Sequence, residues 1–216
     1  MAPGAGKEDQ ARPPIGGASL ECLLSYKAKL DLDDAGNFAL AISTRHFSLA
    51  AKDPFYADDG KPFSYPIPKL QSVGEFLSWV SGKPHATLIV NFHGNLFDTP
   101  ARLSLLLDLR NNVVVVSTAE DMLWAFGEDV HRADKRRLIA FLDVCKAIAG
   151  AKVPAFAHVD TESVHRDEIK ADRASAEGYQ AFDAKEFFSQ ARVDELFDWY
   201  VSTYAHRWDN SIPIKR

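Results

Sequence analysis

A chain of 216 residues is long enough for one ordinary domain, and its 46% hydrophobic content is ample for a packed core. The formal charge of −5 argues against the Lys/Arg-dense surface of a sequence-independent nucleic-acid binder. No apolar run approaches the roughly 18 residues of a membrane span, and the start "MAPGAGKEDQARPP" lacks the apolar segment of a secretory signal, so the expected location is cytoplasmic with no membrane partner.

Residues 1 to about 18 combine Gly, Pro and charge without periodicity and read as a disordered tail, leaving 19–216 as a single domain. In "LSYKAKLDLDDAGNFALAISTRHFSLA" apolar and polar residues alternate on both sides of "DDAGN", which predicts an N-terminal β-hairpin with Asp33 and Asp34 as turn formers. The Pro- and Asp-rich stretch 52–69 reads as a long ordered loop.

Val73, Phe76, Leu77 and Val80 recur at helical spacing and stop at Gly82 and Pro84, ahead of the apolar strand "ATLIVNFHGN" at 86–95. The next stretch, "ARLSLLLDLRNNVVVVS", fits either a capped helix or a hairpin around "RNN", and the hairpin is the favoured reading. Ser117 and Glu120 have capping-box spacing and predict a short helix to about Phe126.

"RLIAFLDVC" is continuously apolar, as a strand buried on both faces would be, and "VPAFAHV" predicts another strand. From about 162 to 206 the pattern is helical, with Val193, Leu196, Phe197, Tyr200, Val201 and Tyr204 on one face. The stripe of Phe, Tyr and Trp from 187 to 208 reads as core packing, with a partner-binding face as the alternative. Strands of parallel type alternating with amphipathic helices predict a three-layer α/β/α sandwich with a mostly parallel sheet.

At the carboxyl ends of such strands stand His93 and Cys145. Were the two strands parallel neighbours, imidazole and thiol would meet over one sheet edge as a cysteine–histidine dyad, the imidazole activating the thiolate nucleophile and protonating the leaving amine. Gly94 allows close backbone approach, so its N–H and that of Cys145 would form an oxyanion hole. No His, Cys, Asp or Glu spacing suggests a metal site; Cys22 reads as a core residue, and there is neither a Gly-rich phosphate loop nor a Gly-x-Ser-x-Gly elbow. No cofactor is expected.

The strand ending in His93-Gly94, the hairpin and short helix after it, and "RLIAFLDVC" ending in Cys145 follow in an order that resembles the caspase-like fold of cysteine peptidases, within it the CHAT group related to separase. "AGAKVPAFAHVDTESVHRDE" is similar to the strand and acidic loop that follow the family's cysteine, and "FFSQARVDELFDWYV" to a later helix. The resemblance implies a caspase-like sandwich and an endopeptidase acting on peptide or protein substrates, with Cys145 as nucleophile and His93 as acid/base, kept silent until a protein partner or ligand activates it. In the metacaspase branch it further implies that Asp143, two residues before the cysteine, lines a pocket for Arg or Lys. The alternative function is a catalytically inactive α/β binding protein of regulatory or toxin-immunity type.

Overall fold

The computed structural model describes residues 19–50, 56–58, 72–81, 87–126, 131–160, 183–204 and 214–215. The expected tail, all of the 52–69 loop except 56–58, and residues 161–182 lie outside the described residues.

Strand β1 (Ser19–Ser25) leads into α1 (Leu32–Ser43), followed by the short strands β2 (Ser48–Leu49) and β3 (Tyr56–Asp58) and by α2 (Val73–Ser81). Next come β4 (Thr87–Leu96), β5 (Thr99–Asp108) and β6 (Val113–Ala119), then a 3-10 turn (Glu120–Leu123), β7 (Trp124–Phe126) and β8 (His131–Ala133). The long helix α3 (Lys135–Ala151), β9 (Phe156–Asp160), α4 (Ala184–Phe187), α5 (Gln190–Tyr204) and β10 (Ile214–Lys215) complete the order.

A seven-stranded sheet runs β2-β4-β5-β6-β1-β9, with β3 on the same edge of β4 as β2. Every pairing in it is antiparallel. This corrects the expected mostly parallel three-layer caspase-like sandwich: the chain forms a mixed α/β fold. Strands β4, β5 and β6 are joined by tight turns, Phe97–Asp98 and Leu109–Asn112, and strands so joined can only run antiparallel. The favoured hairpin of "ARLSLLLDLRNNVVVVS" is β5–β6. A second sheet of three strands, β10-β8-β7, stands apart.

Two further expectations are corrected. "DLDDAGN" starts α1 and not a hairpin turn: Asp31 is the N-cap, its carboxylate accepts from the Asp34 N–H at 3.0 Å, and the Asp34 carboxylate accepts from the Asp31 N–H at 3.1 Å. "RLIAFLDVC" is the first half of α3, because Leu138, Phe141, Leu142, Cys145, Ile148 and Ala149 together form a buried stripe of helical period. With that run helical, β4 has no parallel partner strand. The helix expected through Phe126 shrinks to the 3-10 turn before β7.

On one face of the sheet, Cys22 and Leu24 of β1, Val90 and Phe92 of β4, Leu105 of β5 and Val116 of β6 join Phe38, Phe76 and Phe141 of the helices in one core. Helix α1 packs on α2 and α3, and α3 reaches β1 and β4. Ion pairs Lys152–Asp34 (2.7 Å) and Arg45–Asp143 (2.8 Å) tie the two ends of α1 to α3. Val193, Leu196, Phe197, Tyr200 and Val201 of α5 are buried, as their periodicity predicts, while Trp199 stays 40% exposed. Among the described residues no helix is long and apolar enough to cross a membrane.

Candidate functional site

Alternation along β4 decides where the expected dyad stands. Phe92 belongs to the core, and a Cβ on Gly94 would meet the core residue Phe47, so both face the helices. His93, between them, therefore points to the opposite face, where it is exposed and stands across from Arg102 of β5 and Ser48 of β2. Cys145 lies on the helix side, in the middle of α3 rather than at a strand end, and is fully buried beside Cys22 of β1. The sheet separates imidazole from thiol.

The other expected site residues fare similarly. Burial raises the Cys145 thiol well above its ordinary pKa, and the neighbouring Cys22 and Asp143 push in the same direction, so the group is held as a neutral thiol and not a thiolate. The Cys145 N–H is an interior helix amide and is not exposed beside a cleft. Gly94 is paired within the β4–β5 ladder, opposite Ala101 and near its turn end. Asp143 is on the outer side of α3, half exposed and paired to Arg45 at 2.8 Å; two positions along a helix are not on one face, so although its charge reaches the Cys145 thiol the two side chains do not border one cleft. Among the described residues no cluster of His, Cys, Asp or Glu is arranged to hold a metal ion.

The second face of the sheet carries further polar side chains around His93. Asn91 is 6% exposed and accepts a hydrogen bond from the Ser104 hydroxyl at 2.6 Å. In register with them across β6 and β1 come Ser117 and Glu21, and one step along stand His93 and Arg102.

Among the described residues three other than glycine have positive φ, His46, Phe97 and Asn112, and the bulkiest of them stands in the β4–β5 turn. Phe97 has φ 58°, and its side chain is 52% exposed. A hairpin joined by so short a turn calls for positive φ, which Gly or Asn supplies at little steric cost and a bulky aromatic does not. Around it the packing is specific. The Arg136 guanidinium stacks over the Phe97 ring at 4.3 Å. Arg136 is itself clamped to Asp134, the N-cap of α3, through Nε–Oδ1 and Nη2–Oδ2 contacts of 2.9 and 2.7 Å.

Next to it, Asp98 accepts from Arg137 Nε at 3.2 Å, while Arg137 Nη1 donates to the Trp124 carbonyl at 2.8 Å. Although desolvation works upward, the Thr99 hydroxyl and Arg137 hold the Asp98 carboxyl below its usual pKa. Hydrogen bonding by Arg136 likewise lowers Asp134, whose carboxylate raises Arg136 in turn. The tip is thus a solvent-facing phenyl ring on a base fixed by charge-assisted hydrogen bonds. Its signal in the sequence is "NLFDTP": once β4 and β5 are recognised as a hairpin, the turn falls on Phe-Asp with no glycine.

No protein-family model, no curated protein and no solved structure matches the chain.

Proposed function

We propose that this chain is a non-catalytic binding protein of regulatory or toxin-neutralising kind, and that the β4–β5 tip contacts its partner, a protein offering an apolar socket. Phe97 carries this reading. An aromatic residue in left-handed backbone costs on the order of 1–2 kcal/mol, and a half-exposed ring returns little of that to the core. Strain of this kind persists where the surroundings impose it and function uses it. The Arg136 stack limits the ring's freedom before any encounter, and aromatic anchors with little entropy left to lose are typical interface hot spots.

The peptidase reading is the weaker one. It needs a thiolate within reach of His93, whereas Cys145 is a buried neutral thiol on the other side of the sheet.

The test places a photo-crosslinking phenylalanine analogue at position 97, and at Thr44 as an exposed control, in the full chain expressed in the cells that produce it. A discrete adduct is expected at 97 and not at 44. The captured protein, identified and purified, should bind wild type and lose about tenfold or more affinity for Phe97→Ala, since a central anchor typically costs more than about 1 kcal/mol on truncation. Equal affinity for wild type and Phe97→Ala, or crosslinking that does not depend on position, would overturn the assignment.

A further inference from the structure

At the opposite end of β5 from the Phe97 tip, the β5–β6 turn and the β1–α1 connection border an open hollow of about 730 Å³. The cations Lys27, Lys29 and Arg110 line it, together with the partly exposed apolar residues Leu32 and Leu109. Its volume falls in the range of small-molecule pockets.

The backbone beneath these side chains is fixed. Asn112, at φ 55°, accepts from the Leu30 N–H at 3.0 Å through its side chain and from the Tyr26 N–H at 2.9 Å through its carbonyl. The Asp108 carboxylate takes the N–H groups of Arg110 and Asn111 at 3.1 and 3.0 Å. Asp31, the one carboxylate in the lining against three cations, accepts the capping hydrogen bond of α1, and Asp34 is taken by Lys152 at 2.7 Å. Lys27 and Lys29 form no ion pair with any described residue.

The geometry points to this hollow as a binding site for a small organic phosphate, a phosphomonoester carrying a compact apolar group. The anion sits among the Lys27, Lys29 and Arg110 head groups and the apolar part lies on Leu32 and Leu109. Ammonium and guanidinium groups together supply both the point charge and the forked donors that a phosphate dianion takes, and aliphatic floor residues favour an ester over free phosphate. This site is independent of the partner contact at Phe97, so either can fail without the other.

Phenyl phosphate is the probe, followed by calorimetry and by chemical-shift changes on the full chain. Saturable binding at or below about 1 mM is expected, about tenfold tighter than inorganic phosphate, weakening with added salt and undetectable for phenol. The double variant Lys27→Gln/Lys29→Gln should lose about tenfold in affinity with an unchanged unfolding temperature, whereas Lys185→Gln, far along the chain on α4, should bind as wild type. Unchanged affinity in the double variant, equal binding of phenol, or no saturation overturns the site. Binding to phosphatidate vesicles without binding to phenyl phosphate overturns it as well, by assigning the cations to a membrane surface.

Discussion

Gly94 lies against the ring of Phe47 so closely that a Cβ added to it would stand 2.5 Å from Cδ1 and 2.9 Å from Cε1. Phe47 is 3% exposed and part of the core, so the ring has little room to retreat. The glycine is there for close packing between β4 and the chain leaving α1, not for a catalytic amide. Gly94→Ala should destabilise by about 1–3 kcal/mol, as overpacking does. In a Phe47→Leu background the same change should cost clearly less. Urea titrations of the four proteins in the cycle give that coupling directly, and a Gly94→Ala protein as stable as wild type would contradict the packing.

Cys145 gives a pH signature. Its folded-state pKa is raised, chiefly by burial, above the roughly 8.5 of an unfolded thiol. Below that value both states hold the proton and the thiol adds no slope. Above it the unfolded chain releases a proton that the folded chain keeps, so stability falls as pH rises toward the folded pKa. Cys145→Ala should start less stable than wild type by about 1 kcal/mol, for the small cavity left behind, and then decline less steeply above about pH 8.5. Denaturant midpoints from pH 7 to 10 check this. The native thiol should also resist a neutral alkylating reagent until the chain unfolds; rapid labelling of Cys145 at pH 7 would reopen thiol chemistry.

Tyr26 is 3% exposed, and among the described residues its hydroxyl has no hydrogen-bond partner. Burial, with Cys22 and Asp34 adding to it, drives its pKa far above the normal phenol range. A buried hydroxyl without a partner costs about 1–3 kcal/mol, and its removal leaves the ring packing against Phe38 intact. Tyr26→Phe should therefore raise stability by about 1 kcal/mol at neutral pH. Above the unfolded phenol value of about 10 the unfolded wild-type chain releases a proton that the folded chain keeps, so wild type loses stability there and the gain should widen. A loss of stability in Tyr26→Phe would mean that the hydroxyl is satisfied after all.

What the sequence could reveal follows from the range of the signals. Helix α2 and the β5–β6 hairpin were legible because their periodicities and stops are local: Val73, Phe76 and Leu77 before Gly82, and two apolar runs around "RNN". Helix α3 was not. The mainly apolar run from Leu138 to Cys145 looks the same for a buried strand or a buried helix, and only the continuation through Ile148 and Ala149 establishes the period. That one reading moved Cys145 from a strand end into the core and made the sheet look parallel. The start of α1 was missed because its capping box uses Asp at both positions, and Asp-rich stretches with a nearby Gly also signal turns. The side of the sheet that His93 faces depends on register with β5 and on the ring of Phe47, long-range facts that spacing does not contain.

The last prediction separates strain from packing at Phe97. Two substitutions remove the ring and its contact with Arg136, but they differ in what they do to a backbone at φ 58°. Phe97→Ala keeps the Cβ that makes the left-handed conformation costly, and it loses a cation–π contact worth about 0.5–1 kcal/mol at an exposed site. Phe97→Gly loses the same contact and relieves about 1–2 kcal/mol of strain, partly offset by the larger conformational entropy that glycine gives the unfolded chain. Glycine should consequently be the more stable of the two, by about 0.5–1 kcal/mol, and close to wild type. Thermal and urea unfolding of the three proteins measures the order. If glycine falls below alanine, the turn is not strained in the folded protein, and no backbone cost marks Phe97 as a residue kept for contact with a partner. If glycine matches wild type in stability while partner affinity drops, the aromatic ring at this position serves binding and not folding.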